Sequence, residues 1–128
     1  MTPTQRTKAL LKKQSIPHGV VEKWIQYAPG DPRRKFRPGE RQDFMGIIDI
    51  IAVEPGVGNI GIQCCAGSGN SSHFKKLTVE KAEASRAWLE GPNNTLEIHA
   101  WRKVKKVRGG KAMIWRAKIT NIKISDLK

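Results

Sequence analysis

Residues 47–53 read Ile-Ile-Asp-Ile-Ile-Ala-Val, a nearly continuous apolar run with one carboxylate at its centre. Runs of this kind mark strands covered on both faces. The turn formers Pro55-Gly56-Val57-Gly58-Asn59 follow, and Ile60-Gly-Ile-Gln-Cys-Cys65 reads as a second strand. Residues 47–65 are therefore expected to form a hairpin inside a sheet that needs helices packed on it.

The flanking sequence supplies such elements. Residues 3–14 favour a helix with Pro3 in its first turn, and Ser15-Ile16-Pro17-His18-Gly19 ends it. Residues 20–27 are β-branched and aromatic and read as a strand. After the hairpin, Ala66–Asn70 is glycine-rich, and Ser71 or Ser72 is expected to cap a helix reaching about residue 77. Thr78 is expected to cap a second helix over 79–90, ended by Gly91-Pro92. Phe74, Leu77, Ala84, Ala87 and Trp88 are expected to form the inward face of this helical crossover by their spacing. Residues 95–101 alternate as a strand, 102–111 turn at Gly109-Gly110, and 112–124 alternate again. A helical crossover between the 60–65 and 95–101 strands implies a parallel or mixed sheet, so the fold class is α/β in one domain spanning 1–128.

Charge narrows the partners. The chain carries 24 Lys+Arg against 11 Asp+Glu, a net charge of +13. Residues 1–41 and 102–128 hold most of it, while 42–101 are mildly acidic. Basic ends around an acidic centre suit a protein that grips phosphate beside a metal site; a basic surface over a neutral core is the plainer alternative. The loop 28–41 is long and basic, with Arg33, Arg34, Lys35, Arg37 and Arg41. With Lys103, Lys105, Lys106 and Arg108 of the basic C-terminal hairpin over 102–124, these are the candidate DNA-binding residues. No run approaches the ~18 apolar residues of a membrane span, and the start lacks a secretory h-region, so no membrane partner is expected. The two cysteines, Cys64 and Cys65, are adjacent, which ordinary disulfide geometry disfavours. The expected compartment is the reducing cytoplasm.

The candidate chemistry lies in the hairpin. A lone buried carboxylate such as Asp49 is costly without a partner or a metal. Gln63 shares its alternation with Gly61 and Cys65, and hairpin geometry can set Asp49 and Gln63 side by side. A carboxylate and an amide oxygen, with a main-chain carbonyl, can hold Mg²⁺ or Mn²⁺. The alternative is a buried Asp capping a neighbouring loop. Other constellations carry less. Gly67–Ser72 lacks the ending of a nucleotide P-loop. Cys64, Cys65 and His73 lack zinc spacing, and Cys65 has no sequence-evident catalytic partner. His18 and His99 read as incidental. Trp24, Trp88 and Trp101 read as core, and Trp115, among basic residues, as a base-stacking or sheet-packing ring.

The segments Gly46-Ile-Ile-Asp49-Ile-Ile-Ala-Val and Ile60-Gly-Ile-Gln63-Cys-Cys65 resemble the core of the PD-(D/E)xK nuclease superfamily. Among its members they are most similar to small Holliday-junction-resolvase-like and VRR-NUC-like proteins, including phage-type ones. The resemblance covers about residues 3–103 and implies a restriction-endonuclease-like αβββαβ core, a mixed central sheet flanked by helices, with an extra C-terminal strand. It further implies divalent-metal-dependent endonuclease activity on DNA, on branched or otherwise structured molecules. Asp49 would ligate the metal and Gln63 would replace the second acidic ligand. Cys65 stands where the motif has lysine, so Lys75 or Lys76 would supply the ammonium. Residues 3–14 hold no acid, so Glu22 or Asp43 would supply a further carboxylate. Two other readings stand beside this one: a catalytically inactive DNA-binding module of the same fold, and an RNA-binding or ribosome-associated basic protein. A homodimer is left open.

Overall fold

The computed structural model describes the backbone of residues 1–26 and 39–128 and the side chains of 1–23 and 42–128. Helix α1 spans Pro3–Lys13. Thr2 opens it with a capping box: its hydroxyl accepts from the Gln5 N–H at 3.2 Å, and its own N–H donates to Gln5 Oε1 at 2.8 Å. The helix closes in a Schellman arrangement. Ser15 takes the left-handed position at φ 58°, Ile16 N–H reaches Leu11 O, and Ser15 N–H reaches Lys12 O.

The strands are β1 (His18–Val20), β2 (Lys23–Gln26), β3 (Gly39–Gln42), β4 (Ile50–Glu54), β5 (Gly58–Ala66), β6 (Asn94–Lys105) and β7 (Met113–Ile122). Five of them form a mixed sheet in the order β1-β4-β5-β6-β7, and β2 pairs with β3 in a separate ribbon. The pairs β1–β4, β4–β5 and β6–β7 are antiparallel. The β5–β6 pair is parallel, and the crossover between them contains α2 (Asn70–Lys75), a π-helical turn (Lys76–Glu80) and α3 (Ala82–Glu90). The α/β class with a mixed sheet is thus observed.

Alternation along the strands builds two cores. Leu11, Ile50, Ala52, Ile62 and Cys64 pack on the α1 face. Ile48, Cys65, Leu77, Leu96, Ile98, Ala100 and Ile122 pack on the α3 face, with Phe74, Ala84 and Trp88 against them. Trp101 Nε1 donates to Thr7 Oγ1 at 2.8 Å, and Thr7 also faces His99 Nδ1 at 3.4 Å. His99 is buried and helps seat α1 on the sheet, so it is not incidental. Ala87, expected inward, is exposed, because the π-helical turn resets the phase of α3.

Several expected boundaries move: β3 begins at Gly39, inside the loop expected over 28–41, and β6 runs to Lys105, past the end expected at residue 101, because β7 continues to pair with it. The 20–27 strand breaks at Val21-Glu22, whose two N–H groups both donate to Asp49 O, at 2.9 and 3.3 Å. The 47–53 strand starts at Ile50, because Met45 and Gly46 have positive φ and curl residues 44–48 into a tight turn closed by a Phe44–Ile48 bridge. Neither Ser71, Ser72 nor Thr78 caps a helix. Ser72 Oγ donates to Gly69 O, and Thr78 Oγ1 donates back to Phe74 O at 2.7 Å inside the continuous helical path. Among the described residues, no helix is long and apolar enough to cross a membrane.

Candidate metal centre

Each irregularity of the chain delivers a side chain to one place on the α3 face. The break after β1 sets Glu22 beside Asp49, the 44–48 turn brings Asp43 back over Asp49, and the β4–β5 hairpin places Gln63 opposite. Glu22, Asp43 and Asp49 each offer a carboxylate oxygen within 4.8 Å of the others. Gln63 Nε2 donates to Asp49 Oδ2 at 2.8 Å and to Asp43 Oδ2 at 3.3 Å. The Cys64 N–H also donates to Asp49 Oδ2, at 2.8 Å. Lys76, at the first position of the π-helical turn, reaches Asp43 Oδ2 at 3.1 Å and Gln63 Oε1 at 3.3 Å. A π-turn at this point rotates the helix by one extra residue, a device frequent at functional sites.

Electrostatics divides the carboxyls. Asp49 is 3% exposed. Burial, then its hydrogen bond to Asp43, then the charges of Asp43 and Glu22 push its pKa up to about 8, against the opposing pull of the Cys64 N–H. Burial also raises Asp43, but the hydrogen bond it receives from Asp49, those from Lys76 and Gln63, and the Lys76 charge carry it below the ordinary carboxylate value. Without a cation, the acids therefore settle by keeping a proton on Asp49. That fits a hard-cation site: three clustered carboxyls form an oxygen-rich donor set whose mutual repulsion a divalent ion would relieve.

The site gathers Asp49, Gln63, Asp43, Glu22 and Lys76 from the sequence-derived candidates. Lys75 is exposed at the surface, and Lys76 is the amine in the cluster. Cys64 lies on the α1 side, its thiol pushed up to about 12 chiefly by burial, which makes it inert as a nucleophile. Cys65 is buried on the site side, where burial and then the Asp49 charge raise its pKa.

Sequence reasoning weighed His73 only as a zinc ligand beside Cys64 and Cys65, not as a neighbour of Lys76. His73 lies one helical turn before Lys76, its buried Nδ1 has no hydrogen-bond partner among the described residues, and burial followed by the Lys76 charge lowers its pKa. Its i, i+3 spacing to Lys76 was the available signal.

Register locates the cations of the outer strands. Cys65 pairs with Ala100 and Ala100 with Lys118, and Arg102 pairs with Arg116. Alternation thus puts Arg102, Arg116 and Lys118 on the face that carries Gln63 and Cys65. Lys103 and Lys105 pair with Trp115 and Met113 on the opposite alternation. Trp115 is 45% exposed, with the Arg6 guanidinium 3.7 Å from its ring centroid, so one ring face is already covered. Arg33, Arg34, Lys35 and Arg37 lie outside the described residues, as does the side chain of Arg41, whose backbone is in β3. Compared with protein-family models, with curated proteins and with solved structures, the chain matches none of them.

Proposed function

We propose that this chain is a divalent-metal-dependent deoxyribonuclease of the PD-(D/E)xK type, with a restriction-endonuclease-like core, acting on branched or otherwise structured DNA. The observation that carries the reading is the convergence of Glu22, Asp43 and Asp49 within 4.8 Å, with Lys76 joined to the same cluster. The strand order supports it: β1, β4 and β5 form an antiparallel set, and a helical crossover leads to the parallel β6, the αβββαβ plan implied by the sequence.

Glu22, Asp43 and Asp49 would hold Mg²⁺ or Mn²⁺, while Gln63, expected as a ligand, instead turns its Nε2 to Asp43 and Asp49 and its Oε1 to Lys76 and so braces the cluster. Such an ion, when bound, activates water and neutralises charge on the phosphate. Hydrolysis adds the water oxygen to phosphorus and breaks one P–O bond of the backbone, leaving a phosphate monoester and a hydroxyl, with the water protons shared between them and solvent. Lys76 provides a fixed ammonium where negative charge grows on the phosphate oxygens, the role Cys65 cannot fill. Asp43 and Gln63 hold that ammonium in place.

The test is incubation of linear, flapped and four-way DNAs with purified protein and Mg²⁺ or Mn²⁺. Cleavage is expected, lost in Asp49→Asn and cut at least ~100-fold in Lys76→Ala, with near-wild-type rates in Lys75→Ala. Binding without cleavage of any substrate would leave the inactive DNA-binding module as the correct reading. Tighter binding to structured RNA than to every DNA would favour the RNA-binding alternative.

A further inference from the structure

Strands β6 and β7 outrun the sheet. The last β5 pairing is Ala66 with Trp101, yet the β6–β7 ladder continues through Arg102–Arg116, Lys103–Trp115, Val104–Ile114 and Lys105–Met113. A turn closes it, with Lys106 N–H bonded to Ala112 O and Gly110 N–H to Val107 O. The result is a two-stranded arm. Residues 102–118 contain Arg102, Lys103, Lys105, Lys106, Arg108, Lys111, Arg116 and Lys118 and no acid, and all these cations are exposed. Val107, at the tip, is 65% exposed, and Met113 is 44% exposed. The base of the arm is braced on α1 through the Arg6–Trp115 contact.

We infer that this arm enters the major groove of double-stranded DNA. The inference rests on the DNA-binding half of the function proposed above and is independent of cleavage. Charge selects a polyanion, because eight cations without a single acid repel other basic surfaces and favour counterion release from phosphate. Shape selects the groove. The major groove of B-DNA is ~12 Å wide and ~8.5 Å deep and admits a two-stranded ribbon. From Lys103 to Val107 is four steps of ~3.3 Å, about 13 Å, so the arm is long enough to reach the groove floor. Cations on both alternations of the ribbon can meet phosphates on both walls. The Val107 methyls at the tip suit the thymine methyl groups that line only this groove. A-form RNA, with its deep and narrow major groove, would exclude the ribbon.

The test uses the full chain with Val107→Cys, labelled with an iron chelate that releases hydroxyl radicals, on a B-form duplex with no Mg²⁺ or Mn²⁺ present. Cys64 and Cys65 are buried, and wild-type protein labelled in parallel reports any reaction with them. Radical cuts on both strands, offset in the 5′ direction, are expected for a tip in the major groove. In a companion variant, changing Lys103, Lys105, Lys106 and Arg108 together to glutamine should weaken duplex binding at least tenfold. Cuts offset in the 3′ direction would place the tip in the minor groove and overturn the inference. So would intact duplex binding with no tethered cuts, or with the glutamine variant unimpaired. If wild-type protein binds no DNA, the proposed function itself has failed, a result distinct from a bound complex whose arm lies elsewhere.

Discussion

Asp49 is the residue on which the site turns, and its protonation has a measurable signature. Its folded-state pKa of about 8 lies far above the ordinary 3.8. A group raised on folding stabilises the protein fully below its unfolded pKa, and that stability drains away as pH rises through the folded value. The window is therefore from about pH 4 to pH 8. Asp43 shifts the opposite way, so its window lies below the ordinary carboxylate value and does not enter. Asparagine at position 49 mimics the protonated acid: its carbonyl can accept from Cys64 N–H and Gln63, and its amide can donate to Asp43. In chelator, Asp49→Asn should melt close to wild type near pH 5 and above it near pH 9, by at most a few kcal/mol in stability. Added Mn²⁺ should raise the melting temperature of wild type near pH 8 and leave the variant where it was. A wild-type-to-variant difference that stays constant across this range would show that Asp49 does not carry the shared proton. At this scale much was legible in the sequence. Asp49 and Gln63 stand out as polar residues in apolar strands, and the alternation of Gln63 with Cys65 fixed its face. The choice between Lys75 and Lys76 was not legible, because a single residue of helical phase decides it and that phase depends on where α2 starts, at Asn70, where no side chain caps the helix.

Among the elements, the contact between α3 and the hairpin fixes the site's supporting wall. Trp88 bonds its Nε1 to Thr95 O at 2.7 Å and meets Phe44 edge-on, with ring centroids 6.5 Å apart. Phe44 belongs to the turn that carries Asp43. Beneath them Gly61 of β5 lets both layers come close: a Cβ there would sit 2.6 Å from Ile48 Cδ1 and 3.0 Å from the Trp88 ring. Ile48 is fully buried and cannot swing aside freely. Gly61→Ala should therefore cost about 1–3 kcal/mol by overpacking, read as a lower urea midpoint. It should also weaken Mn²⁺ binding by displacing the Phe44 turn. An unchanged midpoint would mean that the helix tolerates the added methyl, and this account of Gly61 would be wrong. The elements themselves followed from local pattern, since the β4–β5 hairpin, the crossover and the β6–β7 pair all lie where alternation and turn residues put them. The breaks did not. Val20, Val21 and Trp24 read as one strand because the carbonyl of Asp49, which captures the N–H groups of Val21 and Glu22, lies 27 residues further on.

Over the whole molecule, the question is how a net charge of +13 is divided between two faces. The α1 face carries Lys12 and Lys13 on the last turn of the helix. The site face carries Arg116 and Lys118 on β7, set there by pairing with Arg102 and Ala100. The sequence showed that these cations exist, but not their faces, because a face depends on strand register, and a slip of one residue would exchange them. If DNA lies across the acidic site, its phosphates run along Arg116 and Lys118 and leave Lys12 and Lys13 in solvent. Two double variants remove equal charge and separate the cases. Arg116→Gln with Lys118→Gln should weaken DNA binding and flatten the dependence of log K on log salt by about 1.8, since each lost phosphate contact removes ~0.9 from the slope. Lys12→Gln with Lys13→Gln should leave the slope nearly unchanged, because charges on the far side act on the DNA only through a medium screened within ~8–10 Å at ordinary ionic strength. Equal losses from the two variants would mean that the protein attracts DNA by net charge alone. The acidic site would then have no preferred track of phosphate leading to it, and the case for a nuclease would rest on the carboxylate cluster without a route for its substrate.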